Sequence, residues 1–377
     1  MAQDGRCHCK TFQVGEGRSG FRVCDVFSDD RQYRNDLDPM NDPFFNGLLR
    51  RRDGVFSTDL LITAIGYLDF FNWLKKNPST SADICKKLRL AERPVDVMLT
   101  FFSSLNLIKK TGIRYHVSKK GDVFLTEGSP FDLRGYFNSL RERPICQDIA
   151  GVLRTNTPLN WAHASQGDEW AKAMGKKDFA ASFTAAMDSR GAILAPALSE
   201  KLNCTHYSKL LDIAGASGIY SSALVRKYPH LQASVLEKSP VDGIVKNLMK
   251  KQGLSKKISV ISADMFSDPW PGGFDIHLFS HVLHDWDVQD VKLLLQKSFD
   301  TLEPHGMLAI HDAHINRQKT GPVEVAEYSV LLMLSTRGKC YSLGEMKQLL
   351  QEVGFINVHL KHTAGFRSVM TAQKPIE

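Results

Sequence analysis

At 377 residues with 43% apolar side chains, the chain is long enough for two domains, each with a sizeable hydrophobic core. Its net charge of +7 is modest for this length and spread along the chain, so it does not require a nucleic-acid partner. The longest uninterrupted apolar run, residues 60–68, falls well short of the ~20 residues of a membrane span, so we predict no membrane partner.

The seven cysteines are dispersed, odd in number and not preceded by a secretory signal, which predicts free thiols in a reducing compartment. We therefore expect a cytoplasmic protein, with an organelle address left open. No second pair follows Cys7-His8-Cys9 at zinc spacing, so no metal site is predicted there. Residues 1–42 are polar with charges of both signs, a composition that indicates a flexible or loosely packed extension.

Residues 43–205 have the pattern of a mainly helical domain that resembles a winged helix. The predicted elements of its first part are helices over 57–74, from 80 and over 95–107, then a β-hairpin with strands 114–118 and 123–126. Residues 130–205 are predicted to be largely helical. Within them the segment 183–191 leads towards the next domain and is placed to line a cleft, although a helix buried in a core would show the same pattern.

A winged helix often binds DNA by placing basic or amide side chains of its third helix in the major groove. Here that helix carries Asp96 and a series of large apolar residues, with no Arg or Lys. Burial in a core or in a subunit interface is therefore the prediction. The non-enzyme alternative for the whole chain is a winged-helix regulator.

The second predicted domain, residues 206–377, begins with an apolar strand that contains Asp212 and breaks into a loop of small residues. Gly215 and Gly218 fit the last two positions of a dinucleotide-binding fingerprint, but Ile213 occupies the first. A loop without that glycine suits a ligand with no pyrophosphate and a cationic amino-acid end, such as S-adenosylmethionine. A purely structural turn between strand and helix is the alternative.

Strands and helices alternate through this domain, which predicts an α/β fold with a mostly parallel sheet covered on both faces. The predicted strands are 210–214, 233–237, 258–262, 274–280, 306–311, 356–361 and 368–372. Glu237 and Asp264 close the second and third strands, where they could bind a ribose and an adenine amino group, with Met265 packed on the ring. Three acids at successive strand ends, counting Asp212, indicate a ligand at the carboxyl edge of the sheet.

His284 follows the end of the fourth predicted strand. An imidazole whose pKa lies near the operating pH can remove a proton from a substrate hydroxyl. A single histidine is more often structural, but this one is predicted to face the crevice from a strand end.

Residues from about 43 to 375 resemble small-molecule O-methyltransferases of the plant caffeate, hydroxyindole and bacterial polyketide type. The matching segments are Asp212-Ile-Ala-Gly-Ala-Ser-Gly218, Ala263-Asp-Met-Phe266, His284-Asp-Trp286 and Glu352-Val-Gly-Phe355. The resemblance implies a class I methyltransferase domain with a Rossmann-like, mostly parallel, seven-stranded sheet behind a winged-helix dimerisation domain. It implies a homodimer that transfers a methyl group from S-adenosylmethionine to a small molecule by direct in-line transfer, without a metal.

The same resemblance assigns roles to individual residues. His284 matches the general base, and Met187 resembles a methionine that clamps the substrate. The residues implied to contact the cofactor are Gly215 and Gly218 at its methionine end, Glu237 at the ribose, and Asp264 with Met265 at the adenine.

Several positions depart from the family pattern. Asp312 and Cys340 stand where two glutamates usually flank the base, Ser280 replaces a lysine that contacts the cofactor, and Ala214 replaces the first loop glycine. These changes put the orientation of His284 in question.

A thioether sulfur would need no base, so S-methylation of a small thioether carboxylic acid, as in dimethylsulfoniopropionate synthesis, is the alternative reaction. In that reaction Arg190 or Arg337, with Lys339 nearby, could hold the carboxylate.

Overall fold

A two-part architecture is evident in the computed structural model, which describes residues 42–159 and 173–376. Helices dominate the first part, and a seven-stranded sheet forms the second. The predicted N-terminal extension and Cys7-His8-Cys9 lie outside the described residues. Of the described cysteines, Cys85, Cys146, Cys204 and Cys340 are free thiols, as predicted.

The N-terminal part consists of helices around a short hairpin. In chain order its elements are α1 (Pro43–Asp53), α2 (Ser57–Gly66), α3 (Phe70–Lys76), α4 (Ser81–Leu88), α5 (Glu92–Ser104), β1 (Ile108–Thr111), β2 (Arg114–Val117), α6 (Lys119–Leu125), α7 (Arg134–Asn138), α8 (Pro144–Thr155) and α9 (Lys177–Lys201). The helix starts follow local capping chemistry: Asp42 caps α1, and Thr80 with Asp83 forms a capping box on α4. No helix among these described segments, or among those that follow, is long and apolar enough to cross a bilayer.

The predicted hairpin has one correct strand, 114–118, but its pairing partner was predicted wrongly. Residues 114–117 pair antiparallel with 108–111, and Gly112 makes the turn at a positive φ of 59°. The predicted second strand, 123–126, lies instead mostly in α6. The reason is a helix cap: the Ser118 hydroxyl accepts a hydrogen bond from the Gly121 backbone N–H at 3.0 Å, which starts a helix where a turn was predicted.

Two helix predictions also need correction. The single helix predicted over 57–74 is broken into α2 and α3, with Asp69 in the left-handed region at a φ of 44°. The third helix begins and ends three residues earlier than predicted, at Glu92 and Ser104. Its apolar face is buried, as predicted.

The sheet has the strand order β5-β4-β3-β6-β7-β9-β8 and is parallel except for β9, which runs antiparallel to both of its neighbours. Its strands are β3 (Lys209–Ile213), β4 (Gln232–Glu237), β5 (Ile258–Ser262), β6 (Phe274–Ser280), β7 (Leu302–Asp312), β8 (Ile356–His362) and β9 (Ser368–Gln373). The remaining helices are α10 (Ile219–Lys227), α11 (Val241–Lys251), α12 (Val288–Thr301), α13 (Val323–Ser335) and α14 (Leu343–Val353). This confirms the predicted α/β class and all seven strands.

The helix α13 joins the two parts of the molecule. It belongs to the second half of the sequence, yet its buried residues share a hydrophobic core with α2, α3 and α5. Val330 and Met333 of α13 and Met98 and Phe102 of α5 are all fully buried in that core. The burial of α5 is therefore within the chain, and α13 brings helical residues to the edge of the sheet.

A buried ion pair adds a polar link between α1 and the segment before β9. Arg367 Nη2 donates to Asp53 Oδ2 at 2.8 Å, and the two side chains are only 2% and 3% exposed. The Arg367 guanidinium also lies 4.7 Å from the centre of the Tyr328 ring on α13. Removing one member of such a pair leaves a buried charge without a partner.

We predict that Asp53→Ala lowers the free energy of unfolding by about 3–5 kcal/mol, because Arg367 then stays buried and unpaired. Urea unfolding measures this change. The double variant Asp53→Ala/Arg367→Met should recover part of the loss, since the second change removes the unpaired charge. Equal stability of Asp53→Ala and the unaltered protein would contradict the interpretation.

Candidate functional site

A cavity opens at the carboxyl edge of the sheet, where β3, β4, β5 and β6 end, and α9 and α13 cover its other side. The predicted site residues that line it are Met187, Arg190, Gly215, Glu237, Asp264, Met265, Ser280 and His284. Asp212, Gly218, Asp312 and Arg337 lie outside its lining. The sheet edge thus brings most of the predicted residues together, as parallel strand ends do.

The loop after β3 is built over a buried carboxylate. Asp212 is fully buried and accepts a hydrogen bond from the Ser221 hydroxyl at 2.7 Å, while burial raises the pKa of Asp212 to about 7. A Cβ on Gly215 would lie 2.5 Å from the Asp212 carboxyl carbon, so only glycine fits there. Gly218 begins α10 at a φ of 74°. Asp212 and Gly218 therefore support the loop from behind the cavity.

Two carboxylates at the next strand ends face the cavity. Glu237 accepts hydrogen bonds from the backbone N–H groups of Ala216, at 3.1 Å, and Lys238, at 3.0 Å, and burial raises its pKa to about 7. At Asp264, burial is outweighed by the Phe266 N–H and the Lys238 ammonium, which lower the pKa. The first acid is bonded to the loop and the second to the turn after β5, so both are held in place by the backbone.

His284 is paired with Asp312. The Nδ1 atom of His284 lies 2.5 Å from Asp312 Oδ1, and both side chains are buried. Burial lowers the pKa of His284, but Asp312 and Asp285 outweigh it, so the pKa lies above its usual range. The carboxylate of Asp312, one methylene shorter than the usual glutamate, still reaches the imidazole.

Backbone packing fixes the position of His284 from the other side. His284 lies in a short 3₁₀ turn, Leu283–Asp285. A Cβ on Gly338 would lie 1.9 Å from the carbonyl oxygen of His284, so the segment after α13 can approach this turn only through a glycine. The imidazole Nε2 is 3.6 Å from Asp285 Oδ1, too far for a hydrogen bond.

Sequence reasoning missed three cavity residues. His281 has a φ of 57°, and neither ring nitrogen has a hydrogen-bond partner within the described ranges. Tyr328 packs edge-on against His284, with ring centres 5.6 Å apart. Asp188 accepts a short hydrogen bond from Ser217 of the loop, and burial raises its pKa to about 6. Positional signals existed for two of them: Asp188 directly follows Met187 in the segment predicted to line the cleft, and His281 directly follows Ser280.

His281, His284 and Asp312 also place potential ligand atoms within 4.8 Å of one another, a spacing that a metal ion could use. However, Asp312 Oδ1 already accepts hydrogen bonds from His284 and from the Ala313 N–H at 2.7 Å. The arrangement is that of a hydrogen-bonded pair, and we assign no ion to it. The predicted absence of a metal stays a prediction.

The other predicted basic residues and Cys340 point elsewhere. Arg337 pairs with Asp290 and lies over the ring of Trp286, 5.4 Å from its centre. Lys339 pairs with Asp96 and Glu345. Cys340 is buried in the core shared with α5. The structure therefore does not bring Arg337 or Lys339 into the cavity, because carboxylates outside the cavity pair with these side chains.

Ser280 lines the cavity, but its hydroxyl lies 3.0 Å from His311 Nδ1 of the neighbouring strand. Arg190 enters the cavity from α9, and its Nη1 lies 3.3 Å from the Tyr328 hydroxyl. The close approach of α9 depends on Gly191, because a Cβ there would lie 2.9 Å from the Ile219 side chain. The cavity thus has carboxylates both at the loop and next to His284, where Asp285 also lines it, and Arg190 adds a guanidinium.

Comparison with known proteins finds methyltransferases both among similar sequences and among solved structures. A family model described as an O-methyltransferase domain matches residues 148–356. A 3-hydroxy-5-methyl-1-naphthoate 3-O-methyltransferase of Streptomyces sahachiroi is 24% identical over 80% of this chain and 86% of that protein. An L-tyrosine C(3)-methyltransferase of Streptomyces lavendulae is 27% identical over 76% of this chain and 81% of that protein. The solved structure of an O-methyltransferase family 2 protein from Planctomyces limnophilus in complex with apigenin covers 90% of this chain and 99% of its own, with a TM-score of 0.79 and 26% identity.

Proposed function

The chain belongs to the O-methyltransferase domain family, because the family model matches more than half of its sequence. We propose that the protein methylates a hydroxyl group of a small, ring-containing molecule. The chain is an enzyme, an S-adenosylmethionine-dependent methyltransferase. The observation that carries the proposed hydroxyl chemistry is the buried pair of His284 and Asp312 beside the cavity.

The cavity fits S-adenosylmethionine. Gly215 lines the cavity, so a ligand there can approach the backbone of the loop, and Asp188 supplies a carboxylate suited to the cationic amino group. Glu237 suits the ribose hydroxyls, and Asp264 with Met265 suits the adenine. When bound, the cofactor supplies an electrophilic methyl group on a sulfonium. The residues of the chain hold the cofactor and orient its methyl group towards the acceptor. Such orientation of two reacting groups corresponds to effective molarities of ~10⁵–10⁸ M.

His284 acts as the general base of the proposed reaction. Asp312 holds Nδ1 in its protonated form, which leaves Nε2 able to accept the proton of the acceptor hydroxyl. The oxygen forms its bond to the methyl carbon as the carbon–sulfur bond breaks, and the proton passes to His284. A base of this kind adds ~10²–10⁴-fold to the rate. Met187 lines the cavity near this site and packs on the acceptor.

The relatives support an aromatic or polycyclic acceptor. The Streptomyces sahachiroi protein acts on a hydroxyl of a naphthoate, and the Planctomyces limnophilus structure contains apigenin. A carbon-methylating relative shows that the accepting atom varies among similar chains, so the base pair of this chain, rather than its fold, supports oxygen. Thioether methylation and a non-catalytic regulator are not favoured, and Arg337, one carboxylate ligand of the thioether hypothesis, is paired outside the cavity.

The proposed enzyme is a homodimer that associates through residues 43–205. In support, large apolar side chains are exposed on this part of the molecule. They include Phe44, Leu48, Phe131, Tyr136 and Leu140. Exposed large apolar side chains of this kind are the residues that a protein interface would cover.

We predict that Phe44→Ser/Leu48→Ser shifts the protein from dimer to monomer in light scattering, since both residues lie on one face of α1. The matched control is Val288→Ser, which replaces an exposed apolar residue of α12, outside this domain. A monomeric unaltered protein would refute the proposed assembly.

We predict that His284→Ala lowers kcat by ~10²-fold or more at neutral pH, while the affinity for S-adenosylhomocysteine stays within about twofold. In Asp312→Asn the carboxylate that raises the pKa of His284 is lost, so the acid limb of the kcat profile should move to lower pH. Turnover is measured with labelled cofactor over a panel of phenols. Near-normal turnover of His284→Ala would falsify the base assignment.

We predict that S-adenosylhomocysteine binds more weakly below pH 7. The pKa of Glu237 is about 7 in the free protein, and ribose hydroxyls bind the ionised form, so binding at lower pH must release a proton. The dissociation constant should rise by up to ~10-fold per pH unit below 7 and level off above it. Calorimetry from pH 5.5 to 8 measures this slope. Glu237→Gln should flatten it; an unchanged slope in that variant assigns the proton to another group.

A further inference from the structure

Arg190 stands out because its guanidinium has no carboxylate partner among the described residues. It lines the cavity, its Nε atom is buried without a hydrogen-bond partner, and Nη1 contacts only the neutral Tyr328 hydroxyl at 3.3 Å. An arginine stays protonated in a protein, so this is a positive charge whose side chain is only partly exposed. Such a charge destabilises the folded chain unless an anion pairs with it.

Within the described ranges, no carboxylate forms an ion pair with Arg190. The carboxylate that most influences Arg190 is Asp53, but Asp53 is already paired with Arg367 at 2.8 Å. Asp188, two residues away on α9, is bonded to Ser217 and faces the loop. His281 stays neutral, because burial lowers its pKa well below the usual range and the Arg190 charge lowers it further. Asp285 lines the same cavity, and the Arg190 charge lowers its pKa, but burial outweighs this effect and raises that pKa to about 6. Among the described residues no carboxylate is bonded to Arg190.

We propose that Arg190 binds a carboxylate of a ligand in the cavity, and that this carboxylate belongs to the methyl acceptor. A guanidinium with free donors matches a planar carboxylate by two parallel hydrogen bonds. The position of Arg190 favours the acceptor over the methionine carboxylate of the cofactor. Its one polar contact is Tyr328, whose ring packs against His284, whereas the loop that suits the methionine end is faced by Asp188. The inference rests on the proposed function and specifies its substrate class as a hydroxy acid.

The test uses the dimeric full chain and a matched pair of probes, 6-hydroxy-2-naphthoate and 2-naphthol. Binding of each to protein saturated with S-adenosylhomocysteine is measured by calorimetry. The unaltered protein should bind the naphthoate at least 10-fold more tightly than the naphthol. Arg190→Met should weaken naphthoate binding by about 10- to 100-fold, the range for a lost hydrogen bond to a charged group, and leave naphthol unchanged.

Two further variants separate charge from geometry. Arg190→Lys keeps the charge without the planar fork and should retain part of the preference. Arg51→Met removes an exposed arginine that bonds only the Gly47 carbonyl, so it should bind both probes normally. Unliganded Arg190→Met should melt no lower than the unaltered protein, because the change removes an unpaired charge, whereas a merely structural arginine would lower the melting temperature.

The source of the carboxylate is resolved by two cofactor probes. If Arg190→Met weakens S-adenosylhomocysteine but not 5′-methylthioadenosine, which lacks the amino-acid end, the carboxylate is that of the cofactor and the assignment to the acceptor is overturned. Equal naphthoate binding by Arg190→Met and the unaltered protein overturns the proposal, as does the absence of any preference for naphthoate in the unaltered protein. Both results leave the proposed function standing if S-adenosylhomocysteine binds; failure of the unaltered protein to bind it would refute the cofactor site itself.

Discussion

The register between β6 and β7 is the constraint on which the site depends. In this parallel pair Ser280 lies opposite His311, so the two strands reach the edge of the sheet together. Asp312 is the last residue of β7, and the turn after β6 returns His284 to within 2.5 Å of it. Because side chains alternate along a strand, a shift of one residue would turn Asp312 to the opposite face. The base pair is thus a product of strand pairing, and the Gly338 segment packs against the turn that carries His284.

Features of the sheet could be predicted because they depend on local pattern and on one general rule. The bounds of β6 agree with the prediction at both ends, since a short apolar run follows Gly272-Gly273 and ends at the polar Ser280. The cavity acids were found because parallel strands end at the same edge, which holds whatever the tertiary details. The same rule puts His284 at this edge, where it lines the cavity, although the rule could not show that the shorter Asp312 would reach it.

The wrong predictions concern segments whose structure depends on tertiary packing. Residues 123–126 favour a strand by composition, but Gly121 packs so tightly that a Cβ would lie 2.2 Å from the Leu107 carbonyl, and α6 forms instead. Tyr328 reaches the cavity only because α13 crosses from the core of the helical part to the sheet edge. Arg337 lies in a segment that borders the cleft in sequence, but it forms an ion pair with Asp290 at the surface. Sequence position alone contains no information about these long-range partners.

Several charged side chains line the cavity, and each is suited to a particular part of the two proposed ligands. At the loop, burial raises the pKa of Asp188 to about 6 and that of Glu237 to about 7. In their ionised forms these acids suit a cationic or a hydroxyl-bearing group. Arg190, which contacts the Tyr328 hydroxyl, has no bonded carboxylate among the described residues. Polar groups that are buried without partners lower the stability of a free protein, and such conflicts are typical of binding sites. Carboxylates at the loop and a guanidinium without a bonded carboxylate offer different partners to the two proposed ligands, which favours a fixed orientation of each in the cavity.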